Sequence, residues 1–527
     1  MKSYTDMTET STTLSSEAFA RIAAPRLGPL LEAATYMARE CPLDQAPVFL
    51  TRPLLGRILS ECAILEEFFD SFGAHRNSRF YPMRELLAVG GVFSAVGYKL
   101  LHINHSLPRY HLSPVKGDFQ GDTWAALNFI SRILRHAMVL LAEQAEEVGI
   151  HHAADCGAED FSEFNEIGTL VADRDVPASH SDTTILSFCT ELLSLMASAL
   201  SMSIVDSPTL DDWRTLIPER VNEDNIRHLV QEFHRFKSLY DTGLAMTKLE
   251  RANTDLPALR GHVSVVSHLC EAGLGMVHFY ERHLDCFQDD AFFARHELVT
   301  RDALLEFIFG YLARYAGRYS TVIRRLCLTI LSKHSEVGTM MVPIPPYRGF
   351  HVRPSTMIAK IARHYGGALT MRVLNETYDA TRPLDLFRAN ESINAVKRMR
   401  LAEHLETVEL PAAVQGVKAS EEMVRGVILK LAEKRALVIY EQPLPIDSDG
   451  KEAGGNVLAF VVDQIKKLLA LGKIDFNLPI EASFTGDTRV LEDIKVLAAC
   501  GYGEDRQGHN IPLPEKLSYL QKTPMTT

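Results

Sequence analysis

From Ser16 to about His334 apolar residues recur at helical spacing almost without interruption, and near Met340 that pattern stops. This break constrains the chain more than any other feature, because the first pattern specifies packed helices and the second requires strands. Leu30, Leu31, Ala34 and Met37 form one apolar stripe, and Leu304, Phe307, Ile308, Leu312 and Tyr315 form another. Turn signals separate such stripes, as at Ser78-Arg79, Ser106-Leu107-Pro108 and Asp255-Leu256-Pro257. The expectation is an all-α region over 18–335, of roughly ten helices at ordinary lengths. The acidic, polar stretch 151–180, with Gly157 and Pro177, lacks periodicity and is expected to be a surface loop dividing that region into two bundles.

Bulk properties narrow the function classes. A chain of 527 residues is expected to form two or three domains, and 46% hydrophobic with 23% charged residues suffices to bury cores. Lys plus Arg minus Asp plus Glu is 55 − 67 = −12, which argues against a general nucleic-acid or membrane-surface binder. The eight cysteines are scattered singly, without a CxxC pair, as expected of reduced thiols in a cytoplasmic protein. Residues 1–17 are rich in Ser and Thr without an apolar signal core, and are expected to be a disordered tail that directs no export. Leu86–Tyr98 is too short an apolar run to span a bilayer, while Thr183–Val205 is long enough but weakly hydrophobic, so buried helices and no membrane span are expected.

Past Met340 the prolines of 341–350 forbid helix, and the alternating apolar residues there suit an edge strand opening a new domain at about 340. Next comes His351-Val-Arg-Pro-Ser355, then Met357, Ile358, Ile361, Ala362 and Tyr365 on one helical face, ended by Gly366-Gly367. Pro354 is tolerated in a first turn, so the helix is expected to start near His351. A helix N-terminus offers unpaired N–H groups and partial positive charge to an anion, at Val352 and Ser355 as well as at His351. An imidazole there, with Arg353 beside it, has the parts of a transient phosphoryl acceptor: a nitrogen nucleophile, and donors that hold the charge.

The run Gly349-Phe-His-Val-Arg-Pro-Ser355 resembles the active-site pattern of the histidine-containing phosphocarrier (HPr) family of the bacterial sugar phosphotransferase system. The resemblance implies a β-α-β-β-α-β-α open-faced sandwich, with His351 carrying the phosphoryl group and Arg353 assisting. Ala368–Leu374 is then expected to be the second strand and Thr381–Phe387 the third, with Asn390–Val396 opening the second helix. Ser392 matches the serine that caps that helix and is a regulatory phosphorylation site in some members; from its residue type, a cap is the stronger expectation. Ile393 and Val396 are expected to contribute to a partner-docking surface.

The expected last strand and helix are delayed. Leu401–Lys473 intervenes, containing a helix at 421–434, a strand-like 436–440, a polar loop at 447–455 and a helix at 457–471. Ile480–Ala498 then supplies an alternating strand, Gly486-Asp487 as turn and cap, and a helix, closed by Gly501-Tyr-Gly503. The expectation is one HPr-like domain over 340–505, interrupted at about 401–473 and followed by a C-terminal tail, 506–527.

The resemblance implies an enzyme I-like phosphoryl donor and an acceptor or regulatory partner, with no cofactor; a homo-oligomer is compatible with the sequence. No family is assigned to 18–335. Its histidines include His102, His105 and His111, and in the group His262, His268, His278 and His283 the neat helical pair is His268 with Glu271; one such pair is a weak metal signal. No GxxxxGK[ST] phosphate loop or GxSxG elbow is present, and no enzyme I phosphohistidine motif was found. Three readings follow: a phosphocarrier, an unphosphorylated docking module that regulates the helical region, or a helical enzyme switched by the HPr-like part.

Overall fold

A computed structural model describes residues 13–40, 49–151, 161–163, 182–201, 209–284, 290–406, 421–434, 437–446, 457–476, 478–505 and 508–520. The chain divides into two units, Met1–Cys327 and Leu328–Thr527.

The first unit is mostly helical. Its long helices are Ser16–Glu40, Arg52–Ser71, Tyr81–Ser106, Phe119–Glu147, Asp182–Ser201, Glu223–Gly243 and Asp255–Arg282, and Arg314–His334 runs across the division between the units. Several begin where a short polar side chain satisfies a first-turn N–H: Thr51 accepts from Leu54, Asp118 from Gly121, and Asn222 from Asn225. Tyr81–Ser106 is central, burying Leu86, Leu87, Val89, Phe93, Val96 and Leu100 against three neighbouring helices. Gly90 permits that closeness, since a Cβ there would lie 2.7 Å from Cys62 Sγ and 2.8 Å from Met138 Cε. A π-helical stretch, Glu306–Ala313, follows the short helix Arg301–Leu305.

Two helices, Tyr81–Arg109 and Phe119–Glu147, are long and apolar enough to cross a membrane by length and composition, and most of their apolar windows are buried inside the protein. The run Leu86–Tyr98, judged too short from its sequence, is the middle of a 26-residue helix, because Lys99 to Ser106 continue the same buried face. The 23-residue run Thr183–Val205 is a helix only over Asp182–Ser201 within the described residues. Of the loop expected at 151–180, only His151 and 161–163 are described, and there Glu163 accepts hydrogen bonds from the backbone and guanidinium of Arg52 at 2.9 and 2.7 Å. The tail expected at 1–17 lies largely outside the described residues, and a helix begins at Ser16.

The second unit holds a four-stranded antiparallel sheet of β1 (Val337–Pro343), β2 (Leu369–Val373), β3 (Glu376–Asp379) and β6 (Glu481–Asp487), in the order β1-β6-β2-β3. Leu369, Met371 and Val373 of β2 and Ala482 and Phe484 of β6 alternate inward, while Thr370, Arg372 and Thr485 are exposed. Helices Val352–Tyr365, Pro383–Glu406 and Thr488–Ala499 contribute Ile358, Ile361, Leu386, Ile393, Ile494 and Leu497 to the core on the buried face. Each such side chain contributes roughly 1.5–3 kcal/mol by leaving water.

Between helix Pro383–Glu406 and β6, helices Glu421–Glu433 and Val457–Ala470 pack with a two-stranded sheet, β4 (Leu437–Ile439) and β5 (Ile474–Phe476), around a separate core that includes Val424, Ile428, Leu431, Val461, Ile465 and Leu468. A buried ion pair, Lys397 Nζ to Asp475 Oδ2 at 2.7 Å, ties this subdomain to helix Pro383–Glu406.

Several expected elements are displaced. Thr381–Phe387 is not a strand: the Asp379 side chain accepts from Thr381, and Pro383 starts the long helix, where a missing N–H costs little. The third strand is instead Glu376–Asp379, reached through Leu374 and Asn375, both with positive φ (52° and 67°), a two-residue hairpin turn without the usual glycine. Ser392 therefore lies well inside a helix and caps nothing; its hydroxyl is 3.1 Å from that of Tyr378. Gly486 is not a turn but pairs within β6 to Gly338 and Leu369, where a Cβ would lie 2.8 Å from the Ala368 carbonyl.

The first strand starts at Val337 rather than after Met340 and ends at Pro343. Leu401 lies inside helix Pro383–Glu406, and β5 extends the interruption to Phe476; the loop expected at 447–455 lies outside the described residues. Residues 508–520 are no free tail, since Leu517 and Leu520 join the core and the Tyr519 hydroxyl donates to Asp493 at 2.7 Å.

Candidate functional site

The loop before helix Val352–Tyr365 is clamped by one side chain. Asn390 Oδ1 accepts from the Phe350 N–H at 2.9 Å, and its Nδ2 donates to the Arg348 carbonyl at 3.1 Å. Gly349 sits beneath it at φ +63°, where a Cβ would lie 2.1 Å from Asn390 Oδ1; here glycine is required by both conformation and space. Phe350 is fully buried and anchors the turn, and buried Ser355 donates to its carbonyl at 2.9 Å. Together these contacts fix His351 as the residue that caps the helix, in extended conformation, with its carbonyl accepting from the Ser355 N–H.

The imidazole of His351 is about one quarter exposed, and its Nε2 lies 2.7 Å from Oε2 of Glu504, a carboxylate 7% exposed. Nδ1 has no partner among the described residues. A buried carboxylate on one ring nitrogen stabilises the tautomer protonated there and leaves the lone pair on the other. Tyr347 packs edge-on against the ring, with centroids 5.5 Å apart.

Arg353 shares the same carboxylate: its Nε is 3.9 Å from Glu504 Oε1, and Nη1 donates to Asn510 Oδ1. Glu504 thus stands between the histidine and the arginine. Its position is set by the turn Gly501–Gly503, in which buried Tyr502 adopts φ 60° and donates to the Pro343 carbonyl at 2.7 Å, and by a bridge from Glu504 to Asn510. Val352 is exposed at the start of the helix, where its N–H and that of Arg353 precede any intrahelical acceptor.

The inserted subdomain reaches this loop. Tyr440 donates to the Pro346 carbonyl at 3.1 Å and packs on Tyr347 with centroids 4.7 Å apart, while Arg348 donates to the Gly472 carbonyl at 2.7 Å. Burial pushes the Tyr440 phenol up, and the charge of Asp475, 3.2 Å from its hydroxyl, adds to this.

Of the residues singled out from sequence, His351, Val352, Arg353 and Ser355 meet at one helix start. Ser392, Ile393 and Val396 belong to another helix; Ile393 is fully buried in the core and offers no docking surface, and Val396 is half-buried. Glu504, Asn510, Asn390 and Tyr347 were missed. Only Asn390 carried a visible signal, as a polar residue opening the expected second helix; Glu504 and Asn510 reach the site through folding of a distant segment, and Tyr347, though in the loop just before His351, belongs to no pattern that marks it.

In the helical unit His262 has both ring nitrogens occupied, by the Ala258 carbonyl at 2.7 Å and the Ser113 N–H at 3.0 Å. His268 and Glu271 approach to 3.4 Å, and among the described residues no group of three or more His, Cys, Asp or Glu side chains is arranged to hold a metal ion. Comparison with protein-family models, with curated proteins and with solved structures finds no match to this chain.

Proposed function

We propose that the second unit is an HPr-like phosphocarrier in which His351 accepts a phosphoryl group from an enzyme I-like donor and passes it to, or signals through, a partner. The observation that carries this reading is the state of the His351 ring: at a helix start, one nitrogen bonded to buried Glu504 and the other without a partner among the described residues. The order β-α-β-β-α, insertion, β-α supports it, since the implied family order is present once the inserted subdomain is set aside.

In the reaction the Nδ1 lone pair attacks phosphorus, the N–P bond forms and the donor's bond to phosphorus breaks. The Nε2 proton stays in place, and Glu504 offsets the positive charge that the ring gains. The first-turn N–H groups and the Arg353 guanidinium are the donors available to the phosphoryl oxygens. Transfer onward reverses these steps.

The test is incubation of the full chain with enzyme I and phosphoenolpyruvate. Acid-labile, base-stable phosphate is expected on the protein and none on His351→Ala; incorporation unchanged in that variant would sink the assignment. Glu504→Gln is expected to slow incorporation without abolishing it, because an amide holds the ring but cannot offset its charge.

A second reading has its own observation. Tyr440 and Gly472 of the insertion bond to the loop that precedes His351, an arrangement suited to a docking module whose histidine is not phosphorylated. Absence of phosphate on the wild-type chain under conditions that charge a free-standing HPr would favour it.

A further inference from the structure

A polar cavity of about 340 Å³ opens within the helical unit, between the end of helix Tyr81–Ser106, the turn Leu107–Arg109, helix Glu223–Gly243 and helix Asp255–Arg282. Its walls include His102, Arg109, Tyr110, Lys237, Arg260 and His268. The wall is closely built: a Cβ on Gly261 would lie 1.9 Å from the Tyr110 carbonyl oxygen, so only glycine lets that segment lie against the helix. His262 pins the same segment through Ser113, and His111, also on the cavity, is held at φ 48°. Such strain in a non-glycine residue persists only where its surroundings enforce it.

The lining carries three cations, Arg109, Lys237 and Arg260, against two carboxylates, Asp241 and Glu250. Arg260 is paired with Asp241 at 2.6 Å, and Glu250 accepts from the Tyr240 hydroxyl and the Met246 N–H, both at 2.7 Å. Behind the wall, Glu271 is already matched by Lys99 and by His234 at 3.0 Å. The side chains of Lys237 and Arg109 have neither a hydrogen-bond nor an ion-pair partner among the described residues. Burial pulls the Lys237 ammonium below its ordinary range, although the charges of Glu271 and Asp241 act in the opposite direction. Burial also lowers His102 to about 4, so its ring is neutral, with Nε2 3.4 Å from the Tyr110 hydroxyl.

We propose that this cavity binds a small organic dianion, a phosphorylated or dicarboxylic metabolite, whose charge is met by Lys237 and Arg109 while Tyr110 and the histidine edges supply neutral hydrogen bonds. The full chain is to be titrated calorimetrically with inorganic phosphate and with succinate, against sodium chloride of matched ionic strength. Saturable one-to-one binding of at least one probe is expected, and the preferred probe separates the phosphorylated from the dicarboxylic source. Lys237→Gln should weaken it about tenfold or more, the loss of a charge-assisted hydrogen bond. Arg109→Gln should weaken it too, and because Arg109 is exposed this variant serves if Lys237→Gln does not fold. Arg227→Gln, in an exposed pair with Glu223 on the same helix, should bind as the wild type. Saturable binding of neither probe, or undiminished binding in the Lys237 and Arg109 variants, overturns the proposal.

Discussion

His262 in the helical unit and His351 in the sheet-containing unit both have a ring nitrogen bonded across the chain, yet the two regions spend their histidines differently. His262 uses both nitrogens on backbone groups and is buried, so it can only hold segments together. His351 uses one nitrogen on a buried carboxylate and leaves the other at a helix start. A histidine's chemistry is therefore read from the partner it lacks as much as from the one it has.

The sharpest way to break this comparison is to ask whether the two units are energetically separate. Phe484→Ala empties a fully buried site in the middle of the sheet and should cost the second unit about 3–5 kcal/mol, leaving the unfolding transition of the helical unit in place. Denaturation followed by unit-specific probes checks this; a joint shift of both transitions would merge the cores. Gly349→Ala should cost about 2–3 kcal/mol and slow phosphoryl incorporation, because it strains the loop and pushes Asn390 off its two backbone partners. Hydrogen exchange at Phe350 together with the incorporation assay reads both effects.

On the other side, His262→Leu should destabilise the helical unit by about 1–2 kcal/mol, since the Ser113 N–H loses its acceptor, with phosphoryl incorporation unchanged. The smallest effect expected is a pH dependence. The folded state depresses His102 from 6.5 to about 4, and burial lowers His268 in the same direction. Folding thus favours the neutral rings, so their contribution is complete above about pH 6.5 and is lost as pH falls toward 4. With partial solvent access discounting the full shift, about 1 kcal/mol should disappear over that window, and His102→Gln should flatten the slope of urea midpoint against pH.

The break in periodicity near Met340 was legible because helices and strands repeat at different intervals, and the helix from Val352 was legible because its apolar face and terminal glycines are local signals. The second helix was misplaced because its start depends on Asp379 and Pro383, residues that also suit a strand approach. The short polar β3 has no hydrophobic pattern to announce it and exists because β2 offers it an edge. In the site, His351 and Arg353 are neighbours in sequence, whereas Glu504 arrives from more than 150 positions away, at the end of a turn whose geometry depends on Tyr502 being buried. The grouping of charges around Lys237 was equally hidden, as it is assembled from a turn and several helices far apart in sequence.

The strand that completes the sheet is also the last to be synthesised. Because β6 lies between β1 and β2, the ribosome must release Asp487 before Val337 can find its partner, and until then the nascent unit has two unmatched strand edges and an incomplete core. The inserted subdomain, with its own core, can form inside that interval and bring the ends of the loop together, shortening the search that β6 must make. What interrupts the domain in sequence would then assist it in time.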